Sequence, residues 1–273
     1  ALYILGEVMS QKCGLCLKER ELKISHLMPK GLYKKLRKQK TNSQLILSQS
    51  SSGTSGFTDK QVVGKFLCDE CEQKFSKNGE NTVVRDCFDS RDDSFPLLSM
   101  LDRANVLAEV NDRVLLDCRA HLDTESYQYF AASIFWRASA WNCSKYKKYC
   151  NLGVKYQEEF RLYLNGEAGF PKHAYITVYI DSDDDKFPML SFPVSSKKIG
   201  YHQHVFYVPG VRFLLRLGRN VGEIKNFFEA YSSQIMFLKY SFKKHPDCNF
   251  IAKSLKVDFT PSERLKEEII KNV

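Results

Sequence analysis

Cys13-Gly14-Leu15-Cys16 and Cys68-Asp69-Glu70-Cys71 decide how this chain is read. In each pair the two-residue spacing lets both sulfurs turn inward around one tetrahedral ion. Four thiolates at about 2.3 Å make a closed zinc site. Such a site keeps no open position for substrate, so its work is to fold a layer with little core of its own. Between the pairs lies Ile24-Ser25-His26-Leu27-Met28-Pro29, and directly after them Glu72-Gln73-Lys74-Phe75-Ser76-Lys77. The order is a pair, a strand carrying a histidine, a long loop, then a pair that opens a helix.

Working outward, Leu22 to His26 alternates apolar and polar residues as a short strand does, and Pro29 ends it. Residues 30–40 put Leu32, Tyr33 and Leu36 on one helical face, with six Lys or Arg over the rest. Residues 48–56, rich in Ser and Gly, read as a flexible tip. The interval between the pairs is therefore about 50 residues, against ~15–20 in a compact ribbon. Closure cost grows slowly with loop length, so the fingerprint survives the insertion. Val62 to Leu67 returns as the second strand, and a helix of about two turns starts at Glu72 and is expected to cap at Gly79. The turn-rich stretch 86–96 marks a boundary, giving an N-terminal module over 1–85 and a second part over 97–273.

The arrangement over residues 10–80 resembles the HNH (His-Me finger, ββα-metal) endonucleases in their zinc-stapled form. Ser25-His26 with Leu27, Met28 and Pro29 stands where that family has Asp-His, two apolar residues and Pro. Glu72 follows the last cysteine, at the family's third signature position. The resemblance implies a metal-dependent hydrolase acting on phosphodiester bonds, in the setting of bacterial defence or mobile elements. His26 is then the general base; a pKa near 6.5 suits that work. Glu72 is then a ligand of a catalytic magnesium or manganese ion. The family's Asp binds that metal, and Ser25 is a poor ligand beside a carboxylate. The family's Asn before the second pair is also absent from Val62-Val63-Gly64-Lys65. Two readings stay open: a carboxylate from Glu19, Glu21, Glu70 or Glu80 supports the metal beside Ser25, or the module binds nucleic acid without cutting it. Glu80 lies roughly two turns beyond Glu72 and shares its face if the helix passes Gly79.

Polyanion partners fit the net charge of +9 and pI of about 9.0. The candidate phosphate contacts are Lys30, Lys34, Lys35, Arg37, Lys38 and Lys40, with Lys77 on the following helix. DNA is expected ahead of RNA. A third reading, a zinc module that binds protein, leaves a protein partner or a second copy of the chain open. Nine cysteines, an odd number in a chain of this length, fit reduced thiols in a cytoplasmic setting better than a disulfide framework. No secretory leader is expected at the start. No apolar run reaches the ~18 residues of a membrane span.

The second part reads as helices followed by an antiparallel sheet, so the fold class is α+β. Asp123 to Trp141 has aromatic and small apolar residues at helical spacing and is expected as a buried helix with Thr124 as its cap. A second helix spans 154–164. Strands are expected at 173–180, 187–194, 204–208, 211–217 and 236–242, with Pro209-Gly210 turning a hairpin. A helix is expected at 221–231, and Thr260-Pro261 is expected to open a last one. Asp183 to Asp185 reads as a hairpin tip, and His202 and His204 as surface residues. No catalytic motif stands out in this part.

Overall fold

The computed structural model describes residues 11–37, 61–141, 149–186 and 188–247, and the backbone of three further strands at 45–49, 54–58 and 260–261. The fold is α+β. Strands β1 (Gln11–Lys12) and β2 (Glu19–Arg20) pair across the first cysteine turn. Strand β3 (Leu22–His26) follows, then the short helix α1 (Lys30–Lys35). Strands β4 (Leu45–Gln49) and β5 (Thr54–Thr58) pair antiparallel and take in both ends of the stretch 48–56 expected to be a flexible tip, whose middle, 50–53, lies outside the described residues. Strand β6 (Val63–Cys68) then returns antiparallel to β3, matching Ser25 with Gly64 and His26 with Val63.

Helix α2 (Asp69–Phe75) starts at Cys68. The helix does not stop at Gly79. It widens to a π-type turn over Ser76–Glu80 and continues as α3 (Asn81–Asp86). Gly79 is not a cap but a contact point: a Cβ there would lie 2.8 Å from the backbone nitrogen of Phe130. The missing side chain lets two helices touch backbone to backbone.

The stretch expected to divide the chain is packed. Phe88 N donates to Pro209 O at 3.1 Å, and Ser90 N to Lys35 O at 2.8 Å. Helix α4 (Pro96–Leu101) carries its proline at the first turn, where no N–H is needed. A hairpin of β7 (Asn105–Val110) and β8 (Arg113–Asp117) comes next. Then comes α5 (Thr124–Ala140), whose N-cap is Asp123 rather than Thr124: its carboxylate accepts from Ser126 N at 3.0 Å. Helix α6 (Gly153–Asn165) closes on Gly166 in the left-handed conformation. Strands β9 (Ala174–Asp181), β10 (Val194–Lys198), β11 (Tyr201–Val208) and β12 (Val211–Leu217), helix α7 (Ile224–Ala230) and β13 (Ile235–Tyr240) complete this part. The strand expected at 187–194 appears only from Val194; Pro188 and Pro193 lack the N–H a ladder requires. Strand β14 (Thr260–Pro261) pairs parallel to β5 at the point where a helix was expected, and the rest of that expected helix lies outside the described residues.

One seven-stranded sheet results, in the order β10-β11-β12-β9-β13-β8-β7. Every pair is antiparallel except β13 with β9. All eight residues of β9 are buried, because both faces of the sheet are covered there. Tyr127 and Phe130 of α5 meet Phe237 and Phe213 of the sheet at ring separations of 5.4 and 5.5 Å. The other face of α5 meets the cysteine module: Trp136 lies edge-on to Phe75 at 6.0 Å and near Phe66 at 5.3 Å. Described residues from both sides of the stretch 86–96 thus share one apolar core, running from Cys13 to Phe237 with α5 at its centre. No helix among the described residues is long and apolar enough to cross a membrane.

Candidate metal centre and the strand–helix junction

Cys13, Cys16, Cys68 and Cys71 come together with all four sulfurs within 4.8 Å of one another. A tetrahedral ion with bonds near 2.3 Å sets its sulfurs about 3.8 Å apart; Cys16 and Cys68 are at 3.9 Å. None of the four is in a disulfide. This donor set and spacing could bind a metal such as zinc. The local backbone is built for it. Cys13 N donates to Lys18 O at 2.9 Å and Leu17 N to Cys13 O at 3.0 Å, which closes the first turn. Gly14 N donates to Phe66 O at 2.9 Å, and any Cβ on Gly14 would strike the Phe66 ring. Cys68 N donates to Cys13 Sγ at 3.3 Å. The hydrogen bond between the Cys13 and Cys71 sulfurs lowers the pKa of Cys13, while the same bond and burial raise that of Cys71. With thiols alone, one sulfur ionises at the expense of its neighbours; a divalent cation removes that conflict.

From this clamp β3 and β6 run out as a hairpin, and α2 leaves along it. Ser25 is fully buried. Its hydroxyl accepts from Leu67 N at 3.1 Å and donates to the Glu72 carboxylate. The residue before the histidine and the residue after the last cysteine therefore touch. Burial raises the Glu72 pKa, with the Ser25 bond and the Arg137 charge working against it.

His26 is half-buried at the end of β3. Burial lowers its pKa first, then the charges of Lys30 and Arg137, with Glu80 opposing them. Glu80 does reach this neighbourhood, because the helix passes Gly79. It is ion-paired with Arg137. Arg137 is the residue the sequence reading missed. Its guanidinium is 1% exposed, donates to His26 O at 2.7 Å, and lies 5.0 Å from the centre of the Phe75 ring. The one signal in the sequence is a lone cation within the apolar Phe130–Ala140 run, whose helical spacing by itself points to core.

Other candidates separate. Lys30, Lys34 and Lys77 are exposed, and Arg37 is half-buried. Lys35, expected to meet phosphate, is instead committed to the fold: it donates to Arg85 O and Cys87 O and pairs with Asp89 at 3.5 Å. A lysine with little exposure fixes a loop more readily than it meets a ligand. Lys38 and Lys40 lie outside the described residues. Glu70 pairs with Arg20 and Glu21 with Lys23, and Glu19 is exposed. Among the described residues the four cysteines form the only close group of three or more metal-ligating side chains.

Two readings of the second part change. His204 is buried, not superficial: Nδ1 lies 2.7 Å from Ser195 Oγ and 4.0 Å from Cys150 Sγ, and burial brings its pKa to about 4. Asp183 to Asp185 do not tip a hairpin, since β9 and β10 are not neighbours in the sheet. Asp183 instead accepts from Lys243 N at 2.9 Å.

Comparison with models of known protein families, with curated proteins and with solved structures found no match.

Proposed function

We propose that residues 11–86 form a zinc-stapled ββα-metal nuclease module that hydrolyses phosphodiester bonds of nucleic acid, DNA before RNA. The contact between Ser25 and Glu72 carries this reading. In the nucleases this stretch resembles, the residue before the strand-ending histidine is a metal ligand. Here that position meets a helix-borne carboxylate across a hairpin–helix junction clamped by four sulfurs. The zinc is structural, because sulfur fills all four of its positions.

Magnesium or manganese held at Glu72 would neutralise charge on the scissile phosphate and on the departing oxygen. His26 has a lowered pKa and is the neutral base. It takes a proton from water as the water oxygen bonds to phosphorus and the P–O ester bond breaks. Arg137 is a positioning residue: it holds the His26 carbonyl and balances Glu80. Lys30, Lys34 and Lys77 supply exposed charge for the phosphate backbone.

A specific observation favours a second reading, a zinc-stapled binder that does not cut. A hydroxyl stands at position 25 where the family has a carboxylate, and Glu80 is already neutralised by Arg137. Plasmid DNA and single-stranded RNA, incubated with magnesium or manganese, separate the two. Cleavage by the native chain that drops roughly 10²–10⁴-fold in His26→Ala, with zinc content and melting temperature retained, supports the nuclease. Salt-sensitive binding without cleavage in both proteins gives the second reading. In that case Ser25→Asp, which restores the second carboxylate, is expected to bind manganese more tightly than the native chain. Failure to bind nucleic acid at low salt removes both readings and leaves a protein-binding module.

A further inference from the structure

We infer that the groove between α6, the loop 168–173 and the turn after β12 binds a single nucleoside phosphate, either free or as the phosphorylated end of a strand. It is built from residues that the nuclease reading does not use, so it stands whether or not His26 cuts.

The groove is open on one side, has a volume of about 320 Å³ and is lined by Lys155, Tyr156, Phe170, Lys172, His173 and Arg219. Its cations come from three separate segments of the chain. Glu159 is the one carboxylate in the lining, and Lys155 approaches it at 3.7 Å. Among the described residues neither Lys172 nor Arg219 has an acidic partner. Lys225 of α7 adds positive field from outside the lining, though it also pairs with Glu229 at 3.0 Å. That field is felt at His173, whose pKa burial lowers first and Arg219, Lys172, Lys155 and Lys225 lower further. His173 Nδ1 is covered and has no hydrogen-bond partner. Like charges gathered this closely repel one another, and an anion between them removes the repulsion.

The wall is held in place before any ligand arrives. The Gln234 side-chain amide donates to Pro171 O at 2.8 Å and to Ala174 O at 2.9 Å. Gly218 N donates to His173 O at 3.0 Å, which ties the loop to the strand end that leads into Arg219. A site fixed by its own backbone loses little freedom on binding.

Charge alone would accept any anion; the aromatic part of the lining narrows the class. Tyr156 and Phe170 are half-buried, and Phe170 is held edge-on by Phe160 at 5.5 Å and Tyr163 at 5.1 Å. A rigid ring beside a basic rim suits a base on the ring and a phosphate on the rim. The volume sits at the small end of the ~300–1,000 Å³ found for small-molecule sites. That is room for one nucleotide and not for a run of them.

Titration calorimetry on the full chain at low salt tests this. ADP, a short oligonucleotide with a 5′-phosphate and the same oligonucleotide with a 5′-hydroxyl are the probes. Saturable binding of ADP or of the 5′-phosphorylated strand, with the 5′-hydroxyl strand at least about tenfold weaker than its phosphorylated form, supports the site. The tighter of the two phosphorylated probes identifies the source. Arg219→Glu is expected to weaken binding about tenfold or more and Lys172→Ala by several-fold. Both side chains are exposed, so melting temperature should hold. His26→Ala should leave the affinity unchanged. The inference is overturned if no probe saturates, or if Arg219→Glu and Lys172→Ala both bind as the native chain does.

Discussion

Asp181 ends β9 with its carboxyl fully buried, one oxygen accepting from Asp183 N at 3.1 Å and Phe242 N at 3.2 Å and the other without a partner. Burial outweighs those two bonds and raises its pKa from the ordinary 3.8 to about 6. The folded state therefore prefers the protonated acid. Its contribution to stability is complete below the unfolded value near 3.8 and is lost as pH rises through about 6. Asp181→Asn keeps an oxygen for both N–H donors and removes the charge. The variant is expected to match the native chain near pH 4 and to exceed it above pH 6, by at most about 3 kcal/mol for a shift of roughly two units. Melting curves across that window check it, and equal pH slopes in both proteins would count against the account. Nothing in the local sequence marks Asp181 apart from Asp183 to Asp185; what differs is that β9 carries it under the Phe242 turn. Arg137 teaches the converse. Its position in an apolar run was plain in the sequence, but its partners, the His26 carbonyl and the Glu80 carboxylate, come from segments 111 and 57 residues away.

Gly79 shows the same limit for an element. A glycine two turns into a polar helix reads as a stop, and the sequence offers no reason for it to continue. The reason lies in Phe130, whose backbone occupies the space where a Cβ would go. Gly79→Ala is expected to destabilise the chain by about 1–3 kcal/mol, although alanine favours a helix more than glycine does. If denaturant unfolding shows Gly79→Ala to be neutral or stabilising, the close approach of α5 does not constrain the helix. Where periodicity was strong and local, the reading was right: α5, α6, β9, and the β11–β12 hairpin turning at Gly210 with φ 75°. No strict alternation marks β7 and β8: Val106 and Leu107, and Val114, Leu115 and Leu116, come in runs, and every residue of β7 but Ala108 is exposed. The four cysteines were legible because their spacing fixes the geometry locally. The Ser25–Glu72 contact was not, since it depends on the register between β3 and β6.

For the molecule as a whole, α5 is the reason the cysteine module and the sheet should rise and fall together. Gly14 hangs from Phe66, and Phe66 stacks on Trp141 at 5.1 Å and 9°. Arg161 of α6 donates to Leu15 O at 2.8 Å, and Lys74 of α2 donates to Asn165 O at 3.0 Å, so the module is tied to a second helix as well. If the sulfurs hold zinc, its binding energy is folding energy for everything packed against them. Removing the metal with a chelator, or replacing Cys68 with Ser, is expected to lower a single melting transition of the full chain. The chain's two tryptophans, Trp136 and Trp141, both pack on Phe66. Their fluorescence and the far-ultraviolet circular dichroism should therefore shift to the same lower midpoint. Two separated transitions, with the sheet melting at its original temperature after the metal is gone, would mean that the shared core does not couple the parts. The coupled outcome is favoured because α5 buries opposite faces against the two parts, and no break in that helix lets one face open while the other stays closed.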